Sequence, residues 1–334
     1  MAKNSKLRVL NILSGSKFGG AELFFERLAI AFEKTKNIDQ KIVVKKDEKR
    51  VNRLKEKIKD INQISLFKSY NFFISLELKK IIIDFNPDIV LTWMNRASNI
   101  LPTSKLMNEV TVGRLGGYYK IKNYAKCDYL ITNTLDLKEY VISLGWDPKN
   151  VEFIPNFVSE NRIKQKNLFD NKTLLCMGRF HENKSIDTLI RAMTFLSSYS
   201  LVIVGSGPLK ELYESLINKF NLRDRVKIFG WSENISEFIN SSSILVCPSR
   251  HEPFGNVVID GWAHKIPVVV SNVGGPGKII NHKRNGIKFE KENVFDLVSK
   301  IKEISTDSKL KNSVVKNGYE DFKKNYSERV VVEK

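Results

Sequence analysis

Cysteines, histidines and long apolar runs are scarce in this chain, and each scarcity excludes a class of protein. The only cysteines among 334 residues are Cys127, Cys176 and Cys247, and they form no C-x-x-C pair. Single cysteines in apolar surroundings predict buried, reduced thiols rather than a disulfide framework. The four histidines, all after residue 180, have no ligand spacing with the cysteines, so we expect no metal site.

Membrane-spanning and exported proteins are disfavoured in the same way. No apolar run approaches the roughly 20 residues that a spanning helix needs. Met1–Lys6 precedes a strand-like segment and does not resemble a signal peptide. The dinucleotide fingerprint G-x-G-x-x-G is also absent. We therefore expect a cytoplasmic protein that binds no dinucleotide through that motif.

Length and charge suggest two domains and an anionic partner. A chain of 334 residues, 42% of them hydrophobic, is long for one core and can bury two. The net charge of +18 predicts a nucleotide, a nucleic acid or a membrane surface as partner. A genome rich in A and T would also add lysine without a functional reason, and that alternative stays open.

Apolar runs of strand length alternate with helical patterns along both halves of the chain. The predicted strands are residues 7–13, 41–45, 89–93, 111–114, 129–132 and 151–154, then 173–177, 201–204, 226–229, 244–247, 267–270 and 287–289. This alternation predicts two doubly wound parallel sheets, which bind ligands at the carboxyl ends of their strands.

Residues 244–277 combine a strand, a polar loop and a buried helix in the order that creates such a site. Glu252 lies in the loop, and Asp260 follows eight residues later, about two turns into the helix. The free N–H groups at the helix start favour an anion there. Both acids could still be ordinary solvated charges, but the surrounding strand, EPFG loop and Gly274-Gly275 favour a site.

Glu252-Pro253-Phe254-Gly255 followed by Asp260 resembles the Glu-x7-Glu signature of glycosyltransferase family 4, retaining enzymes of the GT-B fold. The second acid is Asp here instead of Glu. The resemblance implies that Glu252 faces the donor sugar and that Asp260 binds the ribose hydroxyls. It also implies that the backbone around Phe254, Gly255 and Asn256 holds sugar hydroxyls or phosphates.

Arg179 and Lys184 resemble the Arg…Lys pair with which this family stabilises a departing diphosphate. The usual Lys-Gly is Lys184-Ser185 here. A surface salt-bridging role is the alternative for either cation alone. Gly19-Gly20, within the sequence GGAE, resembles the family's first loop, which faces the donor diphosphate. We assign two further glycines, Gly205 and Gly207, to the donor site as well.

The resemblance predicts a GT-B architecture of two Rossmann-like domains facing a cleft. Residues 1–156 would form the acceptor-side domain and residues 157–310 the nucleotide-sugar domain. Residues 311–334 would form a C-terminal helix returning to the first domain. The boundary resembles the family's I-P-N-G hinge, with Phe157 in place of glycine.

The acceptor-side strand ends depart from the family. Many members place a histidine at the position near Leu115, whereas no histidine occurs before residue 181. The strand ends offer other polar side chains, which we assign to the acceptor: Asn95, Arg96, Arg114 and Tyr118. Packing is an equal alternative for Trp93 and Tyr118.

The predicted function is a metal-independent, retaining hexosyl transfer from a nucleotide-diphosphate sugar to a glycan or lipid acceptor. TWMNRAS and GRLGGYYK resemble a lipopolysaccharide-type branch. Double displacement would need a second carboxylate near Glu252, and the sequence does not identify one. Front-face substitution therefore fits better. A nucleotide-sugar epimerase of the same fold and a basic nucleic-acid-binding protein remain alternatives. The base, the sugar and the acceptor stay open.

Residues 46–62 carry a narrow apolar stripe: Val51, Leu54, Ile58 and Ile61. Lysines and arginines flank it. Such a pattern predicts either a solvated helix packed lightly on the sheet or an interfacial helix that docks on anionic lipid.

Overall fold

The computed structural model describes residues 6–15, 19–64, 72–159, 169, 172–232 and 234–334. Part of the predicted loop at 14–20, the start of the predicted helix at 68–85 and most of the linker at 159–172 lie outside them. The chain divides into two compact units, residues 1–156 with 331–334 and residues 157–330.

The described part of the first unit contains a seven-stranded parallel sheet. Its strands are β1 (Leu7–Leu13), β2 (Ile38–Lys45), β3 (Ile61–Ile64), β4 (Ile89–Trp93), β5 (Val110–Leu115), β6 (Tyr129–Thr132) and β7 (Val151–Phe153). The helices are α1 (Gly20–Lys34), α2 (Glu48–Lys55), α3 (Phe72–Phe85), α4 (Met94–Asn99) and α5 (Leu135–Ser143). The strand order β3-β2-β1-β4-β5-β6-β7 reverses direction at β1, as in a Rossmann-like sheet.

The described part of the second unit contains a six-stranded parallel sheet. Its strands are β8 (Thr173–Met177), β9 (Ser200–Val204), β10 (Val226–Phe229), β11 (Ile244–Cys247), β12 (Val268–Ser271) and β13 (Ile287–Phe289). The helices are α6 (Ile186–Ala192), α7 (Lys210–Lys219), α8 (Ile235–Asn240), α9 (Asn256–Ala263), α10 (Gly274–Ile279), α11 (Val294–Thr306), α12 (Ser308–Asn325) and α13 (Glu328–Val332). The order β10-β9-β8-β11-β12-β13 is again Rossmann-like.

The central strands of the second sheet are buried on both faces because helices cover both sides. Successive side chains of a strand point to opposite faces, so β8 divides between two cores. Leu174 and Cys176 pack into one apolar cluster, while Leu175 and Met177 pack into the other. The prediction that the cysteines are buried, unpaired thiols is confirmed for Cys127, Cys176 and Cys247.

The apolar stripe at residues 46–62 does not lie on the surface, so it does not form the apolar face of an interfacial helix, and docking of this segment on anionic lipid stays a prediction. Val51, Leu54 and Ile58 are each at most 2% exposed and pack inside the first unit. Helix α2 ends at Lys55, and Ile61 begins β3, which pairs with β2. The structure buries these apolar residues against the first unit, and the residues around them that face solvent are mostly lysines, together with Glu48, Asn52 and Glu56.

The predicted returning segment, residues 311–334, divides between the two units. Residues 311–330 group with the second unit, and only residues 331–334 group with the first. Helix α12 packs on α9 through Gly318, where a side chain would lie 2.5 Å from the Trp262 ring. This close approach explains why α12 stays with the second sheet. Within the described residues, no helix has the length and apolar composition to cross a membrane.

Candidate active site

The loops after β8, β9, β11 and β12 emerge at one edge of the second sheet. They do so because the strands are parallel neighbours, with β8 in register with β9 and β11 in register with β12. The predicted donor-site residues of this half follow these strand ends. Most predicted positions of the second unit therefore share one edge, as a Rossmann-like sheet requires.

Lys184 and Glu252 form a charged pair at this edge. The Nζ atom of Lys184 donates a hydrogen bond to Oε2 of Glu252, joining the loop after β8 to the loop after β11. The side chains are 24% and 15% exposed. Burial alone would lower the pKa of Lys184, but the charge of Glu252 raises it above the ordinary lysine value. Lys184 therefore remains protonated at neutral pH.

Arg179 lies in the same loop as Lys184 but in a different environment. Its side chain is exposed. It makes no ion pair with any residue in the described part of the chain. An exposed guanidinium next to a protonated lysine can bind a diphosphate with both charges. Its assignment to the diphosphate stays a prediction.

Gly205 and Gly207 follow β9 and have a packing role that the sequence did not reveal. Both have positive φ angles, 151° and 154°, and a Cβ atom at Gly205 would lie 1.9 Å from the carbonyl oxygen of Gly178. At Gly207 it would lie 2.4 Å from the carbonyl oxygen of Phe180. Glycine is required there because the loops after β8 and β9 touch backbone to backbone. Contact of either glycine with a donor stays a prediction.

The EPFG loop packs against Gly274-Gly275 backbone to backbone, as the loops after β8 and β9 pack against each other. The N–H of Gly275 donates to the carbonyl oxygen of Glu252 at 2.9 Å. A Cβ atom at Gly274 would lie 2.4 Å from that oxygen. Gly255 has φ 93° and precedes the first residue of α9, Asn256. Gly274 and Gly275 hold the backbone of Glu252 in place. Gly255 allows the turn between Glu252 and the N-terminus of α9.

Asp260 and Phe254 are more enclosed than the sequence suggests. Asp260 is 4% exposed within α9, and Phe254 is also buried, with its ring 6.2 Å from that of Tyr326. Contact of Phe254 with a ligand would therefore use its backbone rather than its ring. The expected ribose contact of Asp260 stays a prediction.

Arg250, two residues before Glu252, is a site residue that the sequence pattern did not predict. Its guanidinium makes a bidentate ion pair with Asp187 at 3.0 and 2.8 Å and also donates to Glu292 at 2.6 Å. The Asp187 hydrogen bonds and charge raise the pKa of Arg250. An arginine two residues before the motif was the one available signal, but its partners are distant in sequence.

In the first unit, Gly19 and Gly20 begin α1, as the strand–glycine–helix pattern predicts. A Cβ atom at Gly19 would lie 2.2 Å from Oε2 of Glu22, the buried acid of GGAE. Gly19 therefore makes room for the Glu22 carboxylate. Contact of either glycine with the donor diphosphate stays a prediction.

Arg114 is buried at the carboxyl end of β5 and holds the chain that follows β7. It donates to the carbonyl oxygen of Ile154 at 2.9 Å and to Oδ1 of Asn156 at 3.0 Å. Its guanidinium lies over the rings of Phe24 and Trp93, at 4.8 and 5.4 Å. Burial lowers the pKa of Arg114 to about 9. These contacts give Arg114 a structural role, and its acceptor-side assignment stays a prediction.

The other acceptor-side candidates are accessible. Arg96 and Tyr118 are exposed, and Asn95 is half-buried. Asn95 and Arg96 lie in α4 directly after β4, while Tyr118 packs its ring against Tyr140 at 5.0 Å. Their assignment to the acceptor stays a prediction.

A depression of about 580 Å³ in the first unit lies away from these candidates. Lys105, Asp128 and Trp146 line it, next to the residues that begin β5 and β6. It therefore lies at the opposite edge from the strand ends. Among the described residues, no group of three or more His, Cys, Asp or Glu side chains is placed to hold a metal ion.

Comparisons with known proteins find similarity to glycosyltransferases. Residues 159–321 match the family model described as Glycosyl transferases group 1. The lipopolysaccharide core biosynthesis glycosyltransferase LpsD of Rhizobium meliloti (strain 1021) is 28% identical over 340 residues, covering 98% of this chain and 96% of LpsD. LpsE of the same strain is 26% identical, covering 95% of this chain and 94% of LpsE.

Solved structures with low sequence identity share the fold over the whole chain. Anabaena Alr3699/HepE in complex with UDP-glucose superposes with a TM-score of 0.83 at 16% identity, covering 98% of this chain and 97% of that one. The lipopolysaccharide outer core galactosyltransferase WaaB, in its apo form, gives a TM-score of 0.72 at 18% identity with the same coverage. The fold is GT-B, the second unit carries the match to the group 1 glycosyl transferases, and the chain is a glycosyltransferase enzyme.

Proposed function

We propose that this enzyme transfers a hexose, with retention at the anomeric carbon, from a nucleotide-diphosphate sugar to a glycan or lipid-linked acceptor. We place the reaction in the synthesis of lipopolysaccharide or a related surface polysaccharide. The observation that carries the proposal is the Lys184–Glu252 pair, which joins two strand-end loops of the second sheet. Relatives named for lipopolysaccharide core biosynthesis, similar over nearly the whole chain, support the acceptor class.

The departing diphosphate is stabilised by positive charge from the protein. Arg179 supplies an exposed guanidinium, and Lys184 supplies an ammonium group that Glu252 keeps protonated. Charged hydrogen bonds of this kind stabilise the negative charge that develops as the sugar–phosphate bond breaks. Glu252 also orients the donor sugar, and Asp260 binds the ribose hydroxyls.

Retention follows from substitution on one face of the sugar. The bond between the anomeric carbon and the diphosphate oxygen breaks, and the acceptor hydroxyl oxygen bonds to the same face of that carbon. The acceptor proton moves to the departing diphosphate oxygen. Double displacement would need a carboxylate nucleophile opposite a second acid, whereas the ion pair to Lys184 already occupies Glu252.

The donor is best sought among uridine diphosphate sugars, because HepE was solved in complex with UDP-glucose. The decisive experiment incubates the purified enzyme with UDP-, GDP- and ADP-sugars and measures binding by thermal shift and turnover by product analysis. A ligand that binds only the folded state at 100 times its Kd adds about 2.7 kcal/mol of stability. Slow hydrolysis or transfer of one donor supports the proposal. An isomerised donor would identify an epimerase instead.

The reaction uses cationic side chains in place of a metal. Full activity in the presence of EDTA is the expected result. Abolition by EDTA, with rescue by Mg²⁺ or Mn²⁺, would contradict the metal-free mechanism.

The lysines around α2 provide an anionic-membrane contact for an enzyme acting at the cytoplasmic face. These exposed lysines form no ion pair within the described residues: Lys45, Lys46, Lys49, Lys55, Lys57 and Lys59. Arg50 and Arg53 are excluded because Glu26 neutralises both. Each basic residue near anionic lipid contributes about 1 kcal/mol, so six suffice without apolar insertion.

Vesicle binding tests this contact directly. Replacing Lys55, Lys57 and Lys59 by glutamate should release the protein from anionic vesicles and leave turnover of a soluble acceptor unchanged. The matched control replaces three exposed lysines of the second unit, Lys302, Lys309 and Lys316. Equal release by both triple variants would indicate nonspecific attraction by net charge.

A further inference from the structure

Arg250 joins three loops at the carboxyl edge of the second sheet. It lies in the loop after β11, and its Nη1 atom donates to the carbonyl oxygen of Glu182 at 2.8 Å in the loop after β8. The bidentate pair with Asp187 reaches the first turn of α6, and Nε reaches Glu292 in the loop after β13. One guanidinium thus fixes three segments that the chain brings together only on folding.

The backbone of the same loop strengthens this connection. The N–H groups of Arg250 and His251 both donate to the carbonyl oxygen of Asn183, at 2.8 and 3.2 Å. Asn183 directly precedes Lys184, and Arg250 lies two residues before Glu252. The contacts of Arg250 therefore connect the loop that carries Lys184 to the loop that carries Glu252, within a few residues of each.

We infer that Arg250 is a positioning residue, which sets the separation and orientation of Lys184 and Glu252 through the Asp187 ion pair. A planar guanidinium that makes two parallel hydrogen bonds to a carboxylate restrains direction as well as distance. A lysine at this position would keep the positive charge but could not donate two parallel hydrogen bonds to the Asp187 carboxylate. Displacement of a reacting group by about 1 Å can cost on the order of a hundredfold in rate.

This inference rests on the proposed function, because it requires Lys184 and Glu252 to act on the donor. It goes further by assigning a role to Arg250 and Asp187, which the motif does not contain. The expected defect is therefore in turnover rather than in folding.

The test compares Arg250→Lys, Asp187→Asn, Glu252→Gln and the double variant Arg250→Lys/Glu252→Gln. We expect Arg250→Lys and Asp187→Asn each to lower kcat about tenfold while acceptor KM stays unchanged. Since Arg250 acts through the Lys184–Glu252 pair, which Glu252→Gln already breaks, the double variant should lose less activity than the product of the two single losses. Asp187→Asn keeps the guanidinium and its other bonds, so it remains informative if Arg250→Lys folds poorly.

Arg284→Lys is the matched control. Arg284 makes a bidentate pair with Asp321 at 2.8 and 3.3 Å in the same unit, before β13 rather than after it. It should leave kcat unchanged. An additive double variant, or an equal loss in Arg284→Lys, would overturn the positioning role. If Glu252→Gln alone retains full activity, the proposed site fails and this inference fails with it. If Glu252→Gln is inactive but both Arg250→Lys and Asp187→Asn retain full activity, only this inference fails.

Discussion

The strand ends of the two sheets use arginine in opposite ways. In the second unit, Arg250 and Arg179 lie in loops with access to solvent, and ion pairs hold the loop backbones. In the first unit, Arg114 lies beneath the surface, between aromatic rings and backbone carbonyl oxygens. The guanidinium of Arg179 is thus accessible to an anion, whereas Arg250 and Arg114 use their charges for contacts within the chain.

The difference separates positions where substitution should affect turnover from positions where it should affect stability. Charged groups that keep part of their surface can bind an anion without first breaking a buried network. A buried guanidinium with satisfied partners cannot leave them without exposing unpaired acceptors. Substitutions at the two edges should therefore differ in what they change, and the following experiments test that division.

The largest expected effect is on the stability of the first unit. Arg114→Met keeps the aliphatic length but leaves the Ile154 carbonyl and the Asn156 side chain without their donor. We expect the free energy of unfolding to fall by roughly 3 kcal/mol, as for loss of charged hydrogen bonds to buried acceptors. Urea unfolding measures it. Unchanged stability together with a higher acceptor KM would support the acceptor-side assignment of Arg114 and contradict its structural role.

Glu252→Gln should have the opposite profile. The amide keeps the size of the side chain but removes the charge that faces Lys184 and the donor sugar. We expect kcat to fall on the order of a hundredfold, as for loss of one electrostatic stabiliser, while the fold persists. Glu303→Gln, which breaks the exposed contact to Lys283 in the same unit, is the control. Near-normal turnover of the Glu252 variant would contradict the assignment.

Nucleoside diphosphate binding should weaken in both cation variants. Arg179→Ala and Lys184→Ala each remove a charged hydrogen bond, worth about 1.5–3 kcal/mol of binding free energy. Isothermal titration with the diphosphate of the preferred donor gives the change. Equal affinity in wild type and both variants would indicate that the diphosphate binds elsewhere.

Removal of the Lys184 ammonium group should also show in the pH dependence of stability. Because the folded state raises the pKa of Lys184 above the unfolded value of 10.5, its contribution is fully present below that value. It is lost as pH rises through the folded pKa. The stability difference between wild type and Lys184→Met should therefore stay constant from pH 7 to about 10 and shrink above it.

The first unit also offers exposed positions, where a smaller effect is expected. Arg96→Ala should raise acceptor KM about fivefold, which corresponds to one solvent-exposed hydrogen bond of about 1 kcal/mol. Donor affinity and stability should stay at their wild-type values. Steady-state kinetics with varied acceptor concentration measures the acceptor KM. An effect on the donor KM alone would indicate that Arg96 contacts the donor instead.

Both Rossmann-like sheets could be predicted because their strands are short apolar runs separated by helices, a pattern local in sequence. Strand β3 was missed because Ile58 and Ile61, three residues apart, also fit a helical face. The structure ends α2 at Lys55 and pairs Ile61 with Ile42 instead. Ile61 forms a strand because the edge of β2 is available for pairing. The spacing of apolar residues within 46–62 contains no information about that edge.

The candidate site was predictable to the extent that its residues are adjacent in sequence. Glu252 and Phe254 stand in one motif, and Lys184 stands in another. The partners of Arg250, in contrast, lie 63 and 42 positions away, so their pairing arises only when the strand ends meet. The buried position of Arg114 was hidden for the same reason, because its acceptors follow β7, 40 to 42 positions later.

Ser185, at the boundary of the Lys184 turn and α6, provides the smallest and most local test. It has φ 48° and ψ 36°, a left-handed conformation that costs an L-residue roughly 1–2 kcal/mol and costs glycine little. A glycine at this position, as in the Lys-Gly motif that Lys184-Ser185 resembles, would adopt the conformation at little cost. The buried serine hydroxyl offsets part of the cost through a hydrogen bond of 2.7 Å with Thr188.

Ser185→Gly and Ser185→Ala therefore separate the cost of the left-handed backbone from the contribution of the hydrogen bond to Thr188. Glycine removes the backbone strain and loses the hydrogen bond, so its stability should lie within about 0.5 kcal/mol of wild type. Alanine keeps the strain and loses the same bond, so it should be less stable by about 1 kcal/mol. Guanidinium unfolding of the three proteins measures the difference, and kcat should be unchanged in the glycine variant because Lys184 keeps its place. Equal stability of the alanine and glycine variants would show that the conformation at 185 carries no strain, and that the backbone of this loop, unlike its charges, tolerates either residue.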